Sequence, residues 1–277
     1  MAARIRGVAI ITKRKSDEAK AAAARIAKML AAQGVRAFAV SPLKLKGCDE
    51  LEPDEVKDRA DLVFAVGGDG TTLKAFRTIP GNLPLLSINV GGHRGILSEV
   101  YTENMERAIR DILAGRGFYD SRIRIQASLA SGGNGNKNTF PPALNEILIT
   151  RADMSRTPTV TVKVLGDEIS HRMDGIVIAT PTGSTGHNLS LGGPVLHEGM
   201  SCLILTPIAP VNKMPQLVIP VEEIVVKMSH KAHIIIDGQE NYILKPGQEV
   251  RIARHPQDVR FLRLQKKGMR QLAKLGF

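Results

Sequence analysis

The residues best suited to bind a phosphorylated ligand lie in one stretch, residues 180–190, which reads Thr-Pro-Thr-Gly-Ser-Thr-Gly-His-Asn-Leu-Ser. An apolar run, residues 175–180, leads into this stretch and predicts a strand that ends in a loop. Glycines and small hydroxyl side chains leave backbone N–H groups open to a phosphate or a sugar. We therefore expect an exposed ligand-binding turn, although a Gly/Ser-rich surface turn without function has the same composition.

A second glycine cluster, residues 67–70 (Gly-Gly-Asp-Gly), also directly follows an apolar run. Each cluster has an aspartate close by, Asp69 in one case and Asp174 in the other. Two such sites suggest one ligand with several phosphates, which indicates nucleotide chemistry. The spacing of the glycines matches neither the dinucleotide fingerprint nor the P-loop.

Asp69 is the residue of this cluster that could do chemistry. A carboxylate beside bare backbone repels phosphates unless it binds a metal or accepts a proton, so Asp69 is a candidate general base or Mg²⁺ ligand. An Asx turn without function is the alternative. Lys74 follows about one helical turn later, where its charge could neutralise a phosphate.

Length and composition predict a soluble protein of two domains. The 277 residues exceed the roughly 100–200 that usually share one core. Hydrophobic residues make up 43% and charged residues 23%, and no apolar run approaches the ~20 residues that span a bilayer. The amino-terminal apolar run is too short for a secretory signal. The two cysteines, Cys48 and Cys202, have no metal-ligand spacing, which favours the reducing cytoplasm.

The net charge of +11 is compatible with nucleic acid, a membrane surface or small anionic substrates. Aromatic residues make up only 4% of the chain and tryptophan is absent, so platforms for stacking bases are scarce. We therefore expect no nucleic-acid and no membrane partner. The basic cluster near the carboxyl terminus is interpreted as a solvated helix face; it contains Arg260, Arg263, Lys266, Lys267, Arg270 and Lys274.

The first part of the chain has the pattern of alternating strands and helices. Strands are expected at residues 5–12, 35–40, 62–66 and 84–90, and helices after Ser16, after Gly70 and over residues 103–114. This alternation predicts a doubly wound α/β nucleotide-binding domain with a parallel sheet, residues 1–118.

A β-rich second domain is predicted for residues 119–261, because short Val- and Ile-rich runs follow one another there without long helices. Residues 131–138 are rich in Gly and Asn and predict a hairpin tip without chemistry. We expect residues 262–277 to pack back on the first domain. The strands expected in the second domain are residues 122–130, 144–150, 159–164, 175–180, 218–220, 224–228 and 233–237.

From its first strand to about Arg251, the chain resembles the NAD kinases. Five motifs occur in the order and approximate spacing of that family: Gly67-Gly-Asp-Gly70, Asn145-Glu146, Asp174-Gly175, Thr180-Pro-Thr-Gly-Ser-Thr185 and Asp237-Gly-Gln239. The first motif is shared with phosphofructokinases and with diacylglycerol and sphingosine kinases, whereas the others together are family-specific. The resemblance implies an NAD kinase-like fold and transfer of the ATP γ-phosphate to the 2′-hydroxyl of the adenosine ribose of NAD, which gives NADP and ADP.

The resemblance also implies roles for single residues. Asp69 would accept the proton, Gly70 would lie beside the dinucleotide, and Lys74 occupies a basic position of the family. Mg²⁺ or another divalent cation is implied as cofactor, with ATP and NAD as substrates, and the expected assembly is a homodimer or homotetramer. The remaining implied substrate-binding residues are Asn145, Glu146, Arg156, Arg172, Asp174, Thr185, Gly186, His187, Asn188, Leu189, Ser190, Ala209 and Gln239.

The chain departs from the family in two places. His187 stands where the family usually has a tyrosine, and we expect it to contact the adenosine without transferring a proton. The loop of residues 92–97 reads Gly-His-Arg-Gly-Ile-Leu where the family commonly has Gly-x-Leu-Gly-Phe-Leu. His93 and Arg94 are therefore either phosphate contacts or ordinary surface residues.

Two other functions share part of this evidence. A lipid kinase of the diacylglycerol or sphingosine type would share the Gly-Gly-Asp-Gly motif, but the chain has no amphipathic membrane-binding stretch. A non-catalytic NAD(H) sensor would gain little from Asp69 beside phosphates. The sequence leaves open the phosphoryl donor, the choice between NAD and NADH, and feedback by NADP.

Overall fold

The computed structural model describes residues 5–91, 95–129, 139–266, 268 and 270–276. It divides the chain into two units, Met1–Ser121 with Val259–Phe277, and Arg122–Asp258, and each unit has a hydrophobic core of its own. His93, Arg94, Lys267 and the hairpin tip predicted at residues 131–138 lie outside the described residues. No helix in the described ranges is long and apolar enough to cross a membrane.

The first unit begins with alternating strands and helices. Its helices are α1 (Asp17–Ala32), α2 (Val56–Arg59), α3 (Asp69–Thr78) and α4 (Met105–Leu113), the last preceded by a 3₁₀ turn, Thr102–Asn104. Its strands up to the second unit are β1 (Gly7–Thr12), β2 (Arg36–Val40), β3 (Asp49–Leu51), β4 (Leu62–Val66), β5 (Pro84–Asn89), β6 (Val100–Tyr101) and β7 (Phe118–Arg122).

The second unit is built almost wholly from strands. Its helical elements are a 3₁₀ turn, Thr182–Thr185, and the short helix α5 (His187–Ser190). Its strands are β8 (Ile125–Leu129), β9 (Glu146–Arg151), β10 (Thr159–Val164), β11 (Asp167–Arg172), β12 (Gly175–Ala179), β13 (Cys202–Ile208), β14 (Leu217–Pro220), β15 (Ile224–Met228), β16 (Ala232–Ile236), β17 (Glu240–Leu244) and β18 (Glu249–Arg254). The chain then ends with β19 (Val259–Arg263) and α6 (Arg270–Leu275) of the first unit.

The sheet of the first unit has the strand order β3-β2-β1-β4-β5-β19-β7, with β6 beside β5. Its pairs from β3 through β19 are parallel. Helices α1 and α4 share the core on one face of the sheet, and on the other side Phe76 of α3 packs edge-on against Phe261 of β19, with ring centroids 4.8 Å apart. The predicted doubly wound α/β architecture is confirmed.

Local sequence explains why α1 forms where it does. The hydroxyl of Ser16 accepts the N–H of Ala19 at 3.2 Å and caps the helix, with acidic residues in its first turn. Alanine and leucine side chains along one face are buried against the sheet, and Gly34, with a φ of +70°, follows the helix end.

The second unit consists of two antiparallel sheets with the orders β11-β10-β15-β18-β8 and β14-β13-β12-β9-β16-β17. Alternate residues such as Val160, Val162 and Val164 point into one core that both sheets share. The predicted β-rich second domain is confirmed. Strands β11 and β17 were not predicted because their sequences are polar and give no continuous apolar run. Strand β13 was also not predicted, although its sequence is apolar and almost wholly buried.

Candidate functional site

One candidate site surrounds Asp69 in the first unit. Gly67 directly follows β4 and has a φ of +153°. A Cβ atom there would lie 2.4 Å from Thr71 Oγ1, so the position requires glycine. Helix α3 begins at Asp69 itself rather than after Gly70 as predicted. The carboxyl ends of parallel strands, where this turn lies, are the usual ligand-binding edge of α/β sheets.

The carboxylate of Asp69 is held by a second loop of the same unit. Its Oδ2 accepts the N–H of Ile96 at 2.9 Å and its Oδ1 accepts the N–H of Leu97 at 3.0 Å. Tyr101 donates its hydroxyl to the Gly95 carbonyl at 3.4 Å. Burial raises the pKa of that hydroxyl, and the nearby charges of Asp69 and Glu99 raise it further. These contacts fix the orientation of the Asp69 carboxylate before any substrate binds.

A basic cavity of about 700 Å³ lies at the carboxyl ends of β1 and β2 in the same unit. Its lining includes the start of α1 and Lys74 of α3, and Gly70 is exposed in the first turn of α3. Clustered positive charge of this kind attracts anionic ligands such as phosphates. The charged lining residues are Asp17, Lys13, Arg14, Lys15, Lys20, Lys44 and Lys74.

The residues of this region fit a cation that arrives with a phosphate ligand. Among the described residues, no group of three or more His, Cys, Asp or Glu side chains could hold a metal ion. Mg²⁺ is commonly bound by one or two carboxylates together with the phosphates of a substrate.

A second candidate site lies in the second unit and is organised by Asp237. This buried residue, with a φ of +49°, follows β16. Its carboxylate accepts three consecutive backbone N–H groups, those of Leu144 at 3.0 Å, Asn145 at 2.8 Å and Glu146 at 3.2 Å. Asp237 belongs to one of the five motifs but is not among the predicted site residues. A carboxylate beside a glycine in a turn after an apolar strand is the signal that could have identified it.

The Thr-Gly-Ser-Thr segment packs directly on Asn145. Thr180 donates its N–H to the Asn145 carbonyl at 2.8 Å and its hydroxyl to the Leu144 carbonyl at 2.5 Å. A Cβ atom on Gly183 would lie 2.2 Å from the Asn145 carbonyl oxygen. The structure thus brings together two motifs separated by more than thirty residues, and only glycine permits this contact.

Two acceptor atoms at this junction are buried without a hydrogen-bond partner among the described residues: Asn145 Oδ1 and Glu146 Oε2. Gly186 packs against Glu146 Oε2, since a Cβ atom added at Gly186 would lie 3.0 Å from that oxygen. Burial raises the pKa of Glu146 to about 8, and the charge of Asp237 contributes further. Since buried polar atoms are nearly always paired in native proteins, these two oxygens are candidate contacts for a bound ligand or water.

The raised pKa of Glu146 predicts a pH-dependent stability. A carboxyl whose folded pKa exceeds its unfolded value stabilises the fold at low pH, and this contribution is lost as the pH rises toward about 8. Glu146→Gln should therefore raise the free energy of unfolding at pH 8 by on the order of a few kcal/mol relative to the native chain, and leave it unchanged at pH 4. The melting temperature should rise accordingly at pH 8 only. Thermal unfolding across this range measures the difference. Glu168→Gln, at an exposed residue of β11, is the control, and equal curves for Glu146→Gln and the native chain would contradict the prediction.

The stretch of residues 180–190 is mostly not the exposed turn that its composition predicts. Residues 182–185 are buried, and Ser184 and Asn188 are fully so. The Asn188 amide donates to the carbonyls of Ser184 and Pro194 and accepts the Thr206 hydroxyl at 2.6 Å. The polar side chains are buried because they bond the segment's own backbone and β13. Asn188 therefore holds the segment in shape, and the exposed surface is left to its neighbours.

The predicted residues of the second unit divide by exposure. Thr185 is buried, and Gly186 and Leu189 are half-buried. Gln239 donates its N–H to the Ile236 carbonyl at 2.9 Å, and Ala209 has a φ of +44°. The exposed predicted residues are Arg156, Arg172, His187, Ser190, Ala209 and Gln239.

Asp174 is paired with a residue that sequence analysis missed. Arg151, at the end of β9, donates to Asp174 Oδ2 at 2.9 Å, and both side chains are largely buried. Arg172, the predicted site residue two positions before Asp174, is exposed, and its carbonyl accepts the N–H of Val211. The pairing with Arg151 follows from the register of β9 beside β12, which the sequence does not specify.

The interpretation of the carboxyl-terminal basic cluster as a solvated helix face is wrong: Arg260 and Arg263 lie on strand β19, Lys266 lies in no helix, and Arg270 is buried. Arg263, on a strand, and Arg270 are 2% and 4% exposed. Both are buried because carboxylates compensate their charges: Glu99 pairs with both guanidinium groups, and Asp120 pairs with Arg263 at 3.3 Å. The carboxylates precede these arginines by more than 140 residues, so local sequence gives no sign of the pairing.

Comparison with known families matches almost the whole chain. Residues 8–117 match the ATP-NAD kinase N-terminal domain, and residues 144–264 match the ATP-NAD kinase C-terminal domain. The NAD kinase of Chloroflexus aggregans is 36% identical over 220 residues, which cover 77% of this chain and 78% of that protein. The NAD kinase of Aromatoleum aromaticum is 32% identical over 276 residues, which cover 96% of this chain and 91% of the relative.

Solved structures agree with these matches. The NADH kinase of yeast, solved with NADH, superposes with a TM-score of 0.89 over 99% of this chain and 87% of that chain, and its identity of 19% makes it evidence for the fold alone. An NAD kinase from Archaeoglobus fulgidus, solved with ATP, has a TM-score of 0.78 and 26% identity over 98% of each chain. The chain therefore belongs to the ATP-NAD kinase family, and it is a kinase that acts on NAD rather than a lipid kinase or a non-catalytic sensor.

Proposed function

We propose that Asn145 and Glu146 bind the adenosine part of NAD, and that Asp69 accepts the proton of its 2′-hydroxyl. The observation that carries the proposal is the pair of buried acceptors, Asn145 Oδ1 and Glu146 Oε2, which have no donor in the described part of the chain. An adenine amino group and ribose hydroxyls are donors of the required kind. Thr185, Gly186, His187, Leu189 and Ser190 would line the same nucleoside site.

The proposed reaction joins the ribose O2′ to the γ-phosphorus of ATP and breaks the bond between that phosphorus and the β–γ bridging oxygen. ADP leaves with the electron pair of the broken bond, and the hydroxyl proton passes to Asp69. Positioning and charge stabilisation supply most of the catalysis of phosphoryl transfer. The two N–H groups that hold the Asp69 carboxylate provide this positioning, and Mg²⁺ would offset the charge of the triphosphate.

We place the phosphates of ATP in the basic cavity of the first unit. Six basic residues and one acidic residue give its lining a strongly positive charge, and the start of α1 contributes the positive end of a helix dipole. Lys74 is the half-buried member of the set and lies on the helix that begins at Asp69. A phosphate chain bound there would have its charge offset close to the proposed base.

The cavity predicts a selective effect on the donor. Lys74→Gln should raise the KM for ATP about tenfold and leave the KM for NAD nearly unchanged, because one partly desolvated cation contributes roughly 1 kcal/mol or slightly more to phosphate binding. Steady-state kinetics with each substrate varied in turn measure both constants. Lys28→Gln removes the same charge from an exposed position on α1 outside the cavity. A parallel rise of both KM values, or an equal effect of the control, would argue against this donor site.

The whole proposal is tested by one assay. Purified protein is incubated with Mg²⁺, with NAD or NADH, and with ATP, another nucleoside triphosphate or inorganic polyphosphate, and formation of NADP(H) is measured. We expect turnover with ATP and NAD. We also propose that the protein is a cytoplasmic homodimer or homotetramer without nucleic-acid or membrane partners. Light scattering and gel filtration measure its oligomeric state. Absence of NADP under every donor would refute the proposed function.

A further inference from the structure

We propose that Arg263 is a positioning residue for catalysis, which acts through the backbone of Leu97 to hold the carboxylate of Asp69. The proposal rests on the role of Asp69 in the proposed function. Arg263 lies on β19 of the first unit, 194 positions after Asp69 in the sequence, and none of the motifs of the family includes it.

A continuous path of hydrogen bonds joins the two residues. Arg263 donates from Nη1 to the Leu97 carbonyl at 2.9 Å. The N–H of Leu97 in turn donates to Asp69 Oδ1 at 3.0 Å, and the N–H of Ile96 donates to Oδ2 at 2.9 Å. The Arg263 guanidinium therefore bonds the carbonyl of Leu97, and the Asp69 carboxylate bonds the N–H groups of Ile96 and Leu97. A shift of Leu97 would turn both N–H donors away from Asp69.

The guanidinium is itself held on several sides. Its Nε donates to Asp120 Oδ2 at 3.3 Å, and Nη1 lies 3.6 Å from Glu99 Oε2. Its Cζ lies 4.2 Å from the centre of the Phe261 ring, in a cation–π contact. Arg263 is 2% exposed, so the group has little freedom to move.

Glu99 connects this centre to the carboxyl-terminal segment. Its Oε1 accepts the N–H of Leu264 at 2.9 Å and that of Gln265 at 3.3 Å, and its Oε2 pairs with Arg270. Arg270 thus shares a carboxylate with Arg263 and is also buried, but its hydrogen bonds run to Glu99 and Gln265 rather than to Leu97. The two arginines form a matched pair that differs in the contact with the Asp69 loop.

Chemistry explains why an arginine suits this position. A buried ion pair is often no more stabilising than apolar side chains of the same volume, so stability alone is a weak reason to place a charge here. The planar guanidinium has five donors in a fixed geometry and can bond a carbonyl and two carboxylates at once. A lysine keeps the charge but not this geometry.

The test compares Arg263→Lys with Arg270→Lys. Arg263→Lys should lower kcat about 10- to 100-fold with little change in either KM, the size of effect expected when a reacting group is misplaced. The acid limb of its kcat–pH profile should move to higher pH, because a carboxylate that loses hydrogen-bond donors is protonated more readily. Arg270→Lys should leave the acid limb in place. An unchanged profile and kcat in Arg263→Lys would overturn the proposal.

Two further measurements separate this inference from the proposed function. In an Asp69→Asn background, Arg263→Lys should have little additional effect on kcat, because residues that act through one another are not additive. Fully additive losses would overturn the relay, whereas a normal kcat in Asp69→Asn alone would refute the proposed base. Hydrogen exchange needs no activity: the amides of Ile96 and Leu97 should exchange faster in Arg263→Lys than in Arg270→Lys. Equal exchange in the two variants would also overturn the relay.

Discussion

Asp69→Asn is expected to lower kcat by about 10²–10⁴-fold, the usual contribution of a general base, while NAD affinity changes far less. Asparagine preserves the shape of the side chain but removes its basicity and its charge. The asparagine amide oxygen can still accept a hydrogen bond from one of the two N–H groups of Ile96 and Leu97. Its NH₂ group would face the other N–H, and because both are donors no hydrogen bond can form there. Rapid-quench or steady-state assays give kcat, and calorimetric titration gives the NAD dissociation constant.

Asp61→Asn provides the control for this substitution. Asp61 also accepts two backbone N–H groups in the first unit, those of Arg6 and Gly7, but it precedes β4 whereas Asp69 follows it. Asp61→Asn should therefore show the effect of weakening two hydrogen bonds from backbone N–H groups to a carboxylate that takes no part in proton transfer. If Asp69→Asn turned over normally and bound NAD poorly, Asp69 would be a binding residue. Asp174 would then be the next candidate base, although its pairing with Arg151 makes it less available.

Gly183→Ala is expected to reduce NAD affinity at least a hundredfold and to destabilise the chain by about 1–3 kcal/mol or more, the usual cost of overpacking. The added methyl group would lie 2.2 Å from the Asn145 carbonyl oxygen, which is backbone and cannot swing aside. Either the Thr-Gly-Ser-Thr segment or Asn145 must therefore move, and the buried acceptors move with them. NAD titration and thermal unfolding measure the two effects.

Gly199→Ala is the matched control for Gly183→Ala, because it adds the same methyl group at an exposed glycine of the same unit. A Cβ atom there would meet only the side chain of His197, at 3.2 Å, which can rotate away. Near-native NAD affinity in Gly183→Ala would show that the contact with Asn145 does not shape the nucleotide site.

The sequence predicts those parts of the fold that depend on local pattern. The Ser16 cap, the alanine-rich face of α1 and the apolar runs of β1, β4 and β12 are each encoded within a few residues. The glycine clusters are likewise visible, since glycine is required wherever the backbone takes an unusual φ or where another chain segment approaches closely. These features are sufficient to predict a first domain with alternating strands and helices and a β-rich second domain.

The sequence does not predict contacts between charged residues far apart along the chain. Asp237 bonds three N–H groups more than ninety residues earlier, and Glu99 pairs with arginines more than 160 residues later. Such a pairing depends on which strands become neighbours, and a charged residue alone resembles any solvated one. The prediction that the Thr-Gly-Ser-Thr segment is exposed was wrong for a related reason. Its polar side chains are buried because they form hydrogen bonds with the backbone of the same segment.

The place of β19 in the sheet of the first unit has a consequence for biosynthesis. This strand pairs with β5 and carries Arg263, but the ribosome makes it only after the entire second unit. The ends of that second unit are bonded to each other, through β8 with β18 and through Arg124 with His255 and Gln257, so it can fold while the first sheet still lacks a strand. A nascent or prematurely terminated chain would therefore carry every family motif and still lack the strand that steadies Asp69. Activity would then require β19 to join the first sheet, which cannot happen before the second unit has been synthesised.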